Sequence, residues 1–173
     1  QAGVKLFSRP QQREIFRNRI FAGETKMSVW FGLENALATP DFSPEELAPV
    51  LQNGLQWPKW GQFYETNGTA GEAVDMAPGK ALMELNDAWR TSGSADERAA
   101  IWRKMLAIHA ENVFTIGVVA NVRQPVVISN KLRNVPRQGV WNWDPGAFFG
   151  IHNMDTFWFD EKQPPRTAAA PQN

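Results

Sequence analysis

The chain has 173 residues, 43% of them hydrophobic, which is enough for one domain with a substantial core. Its 18 basic and 18 acidic residues give a net charge of zero, so the charge balance favours neither nucleic acid nor an anionic membrane surface as a partner. Cysteine is absent, which excludes disulfide scaffolds, thiol catalysis and cysteine-based zinc sites.

The start of the chain predicts a strand, a helix and a second strand. Residues 4–8 alternate in polarity, residues 15–20 carry apolar side chains on one helical face, and residues 26–31 form a second apolar run. Gly23 marks the end of the helix. Together they predict a βαβ unit with parallel strands and a right-handed crossover. Because the chain opens on a strand pattern without an initiator Met, we expect it to be cut from a larger protein.

Proline and glycine interrupt residues 32–79, where we expect short helices because a structureless loop of this length is uncommon. In residues 43–51, we expect Ser43 to cap a helix, Pro44 to take its first position and Glu46 to close a capping box. The remainder is expected to wrap over the surface or line a site.

A helical hairpin follows. Apolar residues recur at helical spacing in residues 80–92, and Ser94 with Glu97 forms a capping box that opens a second helix. Behind the hairpin, residues 113–120 and 126–128 have the composition of buried strands.

Aromatic residues are dense in residues 131–162, which carry no helix signal. Such a segment must pack against something, and little of the chain is left to supply a partner, so we expect it to dock on a part of a larger protein. Residues 163–173 are rich in Pro and Ala and predict a disordered tail. The rings are Trp141, Trp143, Phe148, Phe149, Phe157, Trp158 and Phe159.

The order of these pieces resembles a known family. The pieces are VKLFSRPQQREIFRNRIFAGETKMSVWFG, a Pro-rich excursion, ADERAAIWRKMLAIHAENVFTIGVV and KLRNVPRQGVWNWDPGAFFGIHNMDTFWFDE. From residue 4 to residue 161 this order is similar to the C-terminal region of family 5 extracellular solute-binding proteins, the peptide, nickel and opine type receptors of ABC importers.

The resemblance implies an α/β architecture, the C-terminal part of a two-lobed periplasmic-binding-protein-like fold of type II with a mixed sheet and flanking helices. Residues 1–130 would be the later part of the second ligand-binding lobe, and residues 131–162 would return to the first. The implied function is periplasmic capture of a peptide, opine or sugar-like solute for an ABC permease, without catalysis, cofactor or metal. Membrane contact would be made only through the permease or a lipid anchor.

The same resemblance implies a ligand-binding turn after residues 26–31. There Glu34 and Asn35 would orient a ligand that carries an ammonium or several hydroxyls, and Trp30 would supply a stacking face. Trp57 and Trp60 offer two more rings, either to stack on sugar or peptide planes or to pin a loop to the surface.

Other interpretations remain open on the residues alone. The tryptophans suit a stand-alone carbohydrate-binding module, and carboxylates among Glu34, Glu65 and Asp155 suit a glycosidase. His109 falls on the last turn of the second hairpin helix, where capping or packing is expected. With His152 as the only other histidine, no metal site is predicted.

Overall fold

A computed structural model describes residues 3, 5, 7–33, 38–119, 123, 125–139 and 152–160. The chain divides into two compact units. The first comprises Gln1–Trp30 and Thr39–Ile116, and the second comprises Phe31–Ala38 and Gly117–Asn173.

The first unit is helical in the residues described. Its four α-helices are joined by turns, and two single-turn 3-10 helices, Glu45–Leu47 and Gln52–Gly54, lie between the first and second of them. The α-helices are α1 (Arg13–Phe21), α2 (Pro58–Glu65), α3 (Ala77–Thr91) and α4 (Ala95–Asn112).

The predicted hairpin is confirmed as α3 and α4. The Ser94 hydroxyl accepts a hydrogen bond from the Glu97 amide at 3.2 Å, and the Glu97 carboxylate accepts one from the Gly93 amide at 2.8 Å. These two bonds satisfy amides at the start of α4, as a capping box requires. Leu82 on α3 and Met105 on α4 are fully buried in the core that the hairpin shares with residues 47–50.

Side chains of the hairpin fix residues 40–47 against it. The indole N–H of Trp89 donates to the Pro40 carbonyl at 2.8 Å, and that of Trp102 donates to the Phe42 carbonyl at 3.1 Å. These bonds satisfy polar atoms of an irregular segment that packs against the core, and they hold that segment in place.

The predicted helix over residues 43–51 is wrong in length and in its cap. Only Glu45–Leu47 is helical, Pro44 stands at the cap position, and Ser43 makes no capping bond. The cause is Pro49, because a proline forces the preceding residue out of helical geometry. Ala48 is accordingly extended, at φ −127° and ψ 153°.

Strands are fewer than predicted. Within the described residues the only strands are β1 (Leu132–Arg133) and β2 (Trp158–Phe159), which pair antiparallel in the second unit. Residues 26–31 and the described parts of 4–8, 113–120 and 126–128 form none, so the predicted βαβ unit keeps only its helix, α1.

The physical reason is the lack of a neighbouring strand. A strand needs a second backbone to complete its hydrogen-bonded ladder, and apolar side chains of these segments lie in solvent, with Val29 86% and Val127 96% exposed. The regular secondary structure of the described residues is thus mostly helical, and the mixed sheet of a type II binding-protein fold stays a prediction. So do the lobe boundaries. Trp141, Trp143, Phe148, Phe149 and the tail at 163–173 lie outside the described residues.

Candidate functional site

A cavity of about 760 Å³ lies within the first unit, between α2, α3 and residues 43–51. Its volume falls in the range of small-molecule sites, about 300–1,000 Å³. The wall combines apolar and polar side chains, which is the usual composition of such sites. The lining residues are Ser43, Glu45, Val50, Leu51, Phe63, Tyr64, Glu65, Asn67, Gly68, Met83, Asn86, Trp89 and Arg90.

Two close approaches set the shape of this cavity. Gly61 brings α2 against the backbone of Leu51, so close that a Cβ at this position would lie 2.2 Å from the Leu51 carbonyl carbon. On the other side, the bond from the Trp89 indole to Pro40 fixes a ring of the wall. The cavity is therefore bounded by elements that packing and hydrogen bonds hold in place.

Asn86 is the notable polar residue of the wall. Its side chain is only 2% exposed, and Oδ1 has no hydrogen-bond partner among the described residues. A buried polar atom left unpaired costs about 1–3 kcal/mol. Buried polar groups are therefore almost always paired with protein, water or ligand. Oδ1 itself is shielded from solvent, so Asn86 contributes to the cavity wall through its other atoms.

Tyr64 is held as a neutral hydrogen-bond donor. Its hydroxyl donates to Oδ1 of Asp87 at 2.5 Å, which ties α2 to α3. This hydrogen bond, then burial and then the charge of Asp87 raise the pKa of Tyr64, while Arg90 acts in the opposite direction. A tyrosine whose pKa is raised does not serve as a base at neutral pH, so the arrangement suits binding rather than proton abstraction.

Comparisons with protein-family models, with curated proteins and with solved structures find no match for this chain. Within the described residues, no group of three or more His, Asp or Glu side chains could hold a metal ion. Nor does any helix in that part of the chain combine the length and apolar character needed to cross a membrane.

Within the described residues, the predicted ligand contacts Trp30, Trp57 and Trp60 do not line this cavity. Trp30 belongs to the first unit, where its ring stacks on Phe16 with centroids 5.4 Å apart, and the Arg13 guanidinium lies 5.8 Å from its centroid. Glu34 and Asn35 lie outside the described residues. Their assignment as ligand contacts stays a prediction.

Trp57 and Trp60 form part of a ring cluster beside the core. Their rings stack with centroids 6.1 Å apart, and Trp57 also meets Phe114 edge to face at 5.2 Å. The His109 ring packs 5.9 Å from Trp57, and its Nε2 lies 2.8 Å from the Leu47 carbonyl oxygen, so the packing role predicted for His109 is confirmed. Both tryptophans stay candidate ligand contacts, although much of each ring surface is already used in packing.

The remaining candidate residues belong to different units. Glu65 lines the cavity of the first unit, whereas Asp155 and His152 belong to the second. The His152 ring lies against Gly139, where an added Cβ would be 2.6 Å from its Nε2.

Sequence reasoning missed Asn86, and a signal for it existed. Asn86 is four residues after Leu82, so the two share one face of α3, and that face is the buried one. A polar residue inside an apolar stripe is a departure from the pattern of a core-facing helix. Tyr64 gave no such signal, because α2 itself was not predicted.

Proposed function

We propose that this chain binds a small solute reversibly in the cavity of the first unit, as the C-terminal part of an extracytoplasmic solute-binding protein that serves an ABC importer. The observation that carries the proposal is a cavity of about 760 Å³ whose wall combines apolar side chains with the polar groups of Tyr64, Asn86 and Arg90. The volume suits a small solute, and polar groups of this kind fix the orientation of a bound solute.

The polar groups of the wall favour binding without chemistry. Tyr64 keeps its proton and donates a hydrogen bond to Asp87. Reversible capture needs this kind of fixed donor and acceptor, whereas hydrolysis needs a nucleophile and a base in mutual reach.

Exposed apolar segments support the view that the chain works as part of a larger receptor. Val29, Val118 and Val127 lie outside the helices and strands and are more than three-quarters exposed, at 86%, 80% and 96%. Trp158 and Phe159, in the ring-rich segment, are also exposed. A mixed sheet contributed by the rest of a two-lobed receptor would cover exposed apolar side chains such as these.

The test is a calorimetric titration of the chain with small peptides, opines and oligosaccharides. We expect one class of solute to bind without being chemically altered. The same solute should bind Asn86→Ala less tightly. Glu84→Gln is the matched control, because Glu84 is exposed on the same helix and does not line the cavity. Absence of any binder would contradict the proposal.

Two other outcomes would support a different function. Sugar binding that is lost in Trp57→Ala and kept in Asn86→Ala would favour a stand-alone carbohydrate-binding module. Hydrolysis of a glycoside that is abolished by Glu34→Gln would favour the glycosidase.

A further inference from the structure

We infer that Asn67 is a site of spontaneous deamidation, and that the turn which ends α2 controls the rate of this reaction. Deamidation converts the side-chain amide into a carboxylate, with water as the co-reactant and ammonia as the product. Solute binding is not required for it. The site nevertheless borders the cavity of the first unit, because Asn67 and Gly68 both line it.

The chain contains two asparagines that are followed directly by glycine. They are Asn53, before Gly54, and Asn67, before Gly68, and all four residues are exposed. Because glycine has no Cβ, its amide nitrogen is open to the side chain of the residue before it. These two asparagines are therefore the ones that a neighbouring backbone amide attacks most readily.

The reaction at Asn67 has two steps. The backbone nitrogen of Gly68 bonds to Cγ of Asn67, the Cγ–Nδ2 bond breaks, and ammonia leaves with the amide proton. Water then opens the resulting succinimide ring at either carbonyl. One opening leaves aspartate, and the other leaves isoaspartate, in which the main chain continues through Cβ. No atom is oxidised or reduced.

In the folded chain the attacking nitrogen is held by the cap of α2. The Gly68 amide donates to the Phe63 carbonyl at 2.8 Å, and the Asn67 amide donates to the Tyr64 carbonyl at 3.2 Å. Asn67 is left-handed, at φ +51°. This arrangement is a Schellman motif, which satisfies the last carbonyls of a helix. Since the Gly68 nitrogen must lose its proton before it attacks, the bond to Phe63 has to break first.

Hydroxyl groups of two threonines hold the same turn. The Thr66 hydroxyl donates to the Gln62 carbonyl at 2.7 Å and accepts a bond from the Ala70 amide at 3.0 Å. The Thr69 hydroxyl donates to the Thr66 carbonyl at 2.9 Å. Removing either hydroxyl should let the end of α2 open more often, and deamidation at Asn67 should then become faster.

Either product disturbs the end of α2. Aspartate at this position places a negative charge at the negative end of the helix dipole, two residues from Glu65. Isoaspartate lengthens the main chain between residues 67 and 68, so the two cap bonds lose their geometry. Conversion therefore loosens α2 permanently and adds a negative charge to the lining of the cavity.

The experiment incubates the purified chain in mildly alkaline buffer, with and without a denaturing concentration of guanidinium chloride. Proteolysis and mass spectrometry follow the conversion of Asn53 and Asn67 over time. In denaturant both should convert at similar rates, since glycine follows both. In buffer Asn67 should convert roughly fivefold or more slowly than in denaturant, the factor that corresponds to one intact hydrogen bond.

Substitutions then test the control by the cap. Thr66→Ala should speed the conversion of Asn67 in buffer several-fold and leave Asn53 unchanged. Thr91→Ala is the matched control, because it removes a hydroxyl that bonds a backbone carbonyl at the end of α3, and it should change neither rate. Asn67→Asp, which reproduces one product, should lower the urea midpoint of the chain. Asn67→Gly should not, since glycine is favoured at a left-handed cap position.

Asn53 separates local opening from global unfolding, because a variant that unfolds the chain speeds both asparagines. If Thr66→Ala does so, Thr69→Ala takes its place, since that side chain is exposed. Equal rates for Asn67 in buffer and in denaturant would overturn the inference. So would a folded threonine variant in which Asn67 converts no faster than in the parent chain. Neither result bears on solute capture, which the calorimetric titration tests separately.

Discussion

Replacing Gly61 by alanine should destabilise the first unit, although helix propensity alone predicts the opposite. Gly61 lies inside α2, where alanine is favoured over glycine by about 1 kcal/mol. In the structure, however, the added Cβ would lie 2.2 Å from the carbonyl carbon of Leu51 and 2.4 Å from its oxygen. Both atoms are backbone, so no side-chain rotation relieves the contact.

The magnitude follows from the distance. Two carbon atoms pack at about 3.5 Å or more, so α2 and the backbone at Leu51 must separate by about 1.3 Å, the difference between 3.5 Å and the 2.2 Å at which the added Cβ would lie. Overpacking of this kind costs up to about 3 kcal/mol, and the helical preference for alanine returns about 1 kcal/mol. The free energy of unfolding should therefore fall by about 2 kcal/mol. Because Leu51 lines the cavity, solute affinity should fall as well.

The assay is urea unfolding of the chain, followed by far-ultraviolet circular dichroism. Gly54→Ala is the matched control, since the nearest atom to its added Cβ is 3.7 Å away, at the Leu51 side chain. That change should be neutral or stabilise the chain by up to about 1 kcal/mol, through the lost freedom of the unfolded state. A Gly61→Ala protein as stable as Gly54→Ala would refute the close packing of α2 on Leu51.

Three further changes test other parts of the structure by the same unfolding assay. Ser94→Ala removes the cap of α4 and should cost about 1 kcal/mol, with Thr restoring most of it. Leu82→Ala empties a fully buried site and should cost about 2–5 kcal/mol. The raised pKa of Tyr64 means that the folded chain holds this proton more tightly than the unfolded chain. Stability should therefore decline as the pH rises above about 10, and Tyr64→Phe should remove that share of the decline.

Each of these has an outcome that would count against it. A Ser94→Ala chain as stable as the parent would mean that the capping box contributes nothing in solution. A loss below about 1 kcal/mol for Leu82→Ala would place this residue outside a close-packed core. If the stability of Tyr64→Phe falls at alkaline pH by the same amount as that of the parent chain, the hydrogen bond from Tyr64 to Asp87 does not contribute to this pH dependence.

The helices α3 and α4 carry local sequence signals, and both were predicted from the sequence. The capping box at Ser94 and the apolar stripe that includes Leu82 and Trp89 were sufficient for α3 and α4, because both signals act within one helix. In contrast, α2 has a short and mixed sequence. Its clearest sign was Pro58 at the first helical position, among aromatic residues that suggested a loop.

Strands could not be predicted in the same way, since a strand exists only with its neighbour. Residues 26–31 and 113–119 have strand composition, yet the described structure gives them no ladder partner. The cavity could not be predicted from the sequence either, because it forms where residues 43–51 meet helices that follow later in the chain. Only Asn86, a polar residue in an apolar stripe, pointed to it.

Native mass spectrometry of the protein, purified without denaturation, would show whether the cavity of the first unit holds a solute. We expect a mass excess from a retained small molecule, which disappears in Asn86→Ala and persists in Glu84→Gln. A retained molecule that is unaffected by Asn86→Ala would place the solute elsewhere, and a parent protein that neither retains nor rebinds any small molecule would contradict solute capture in this cavity.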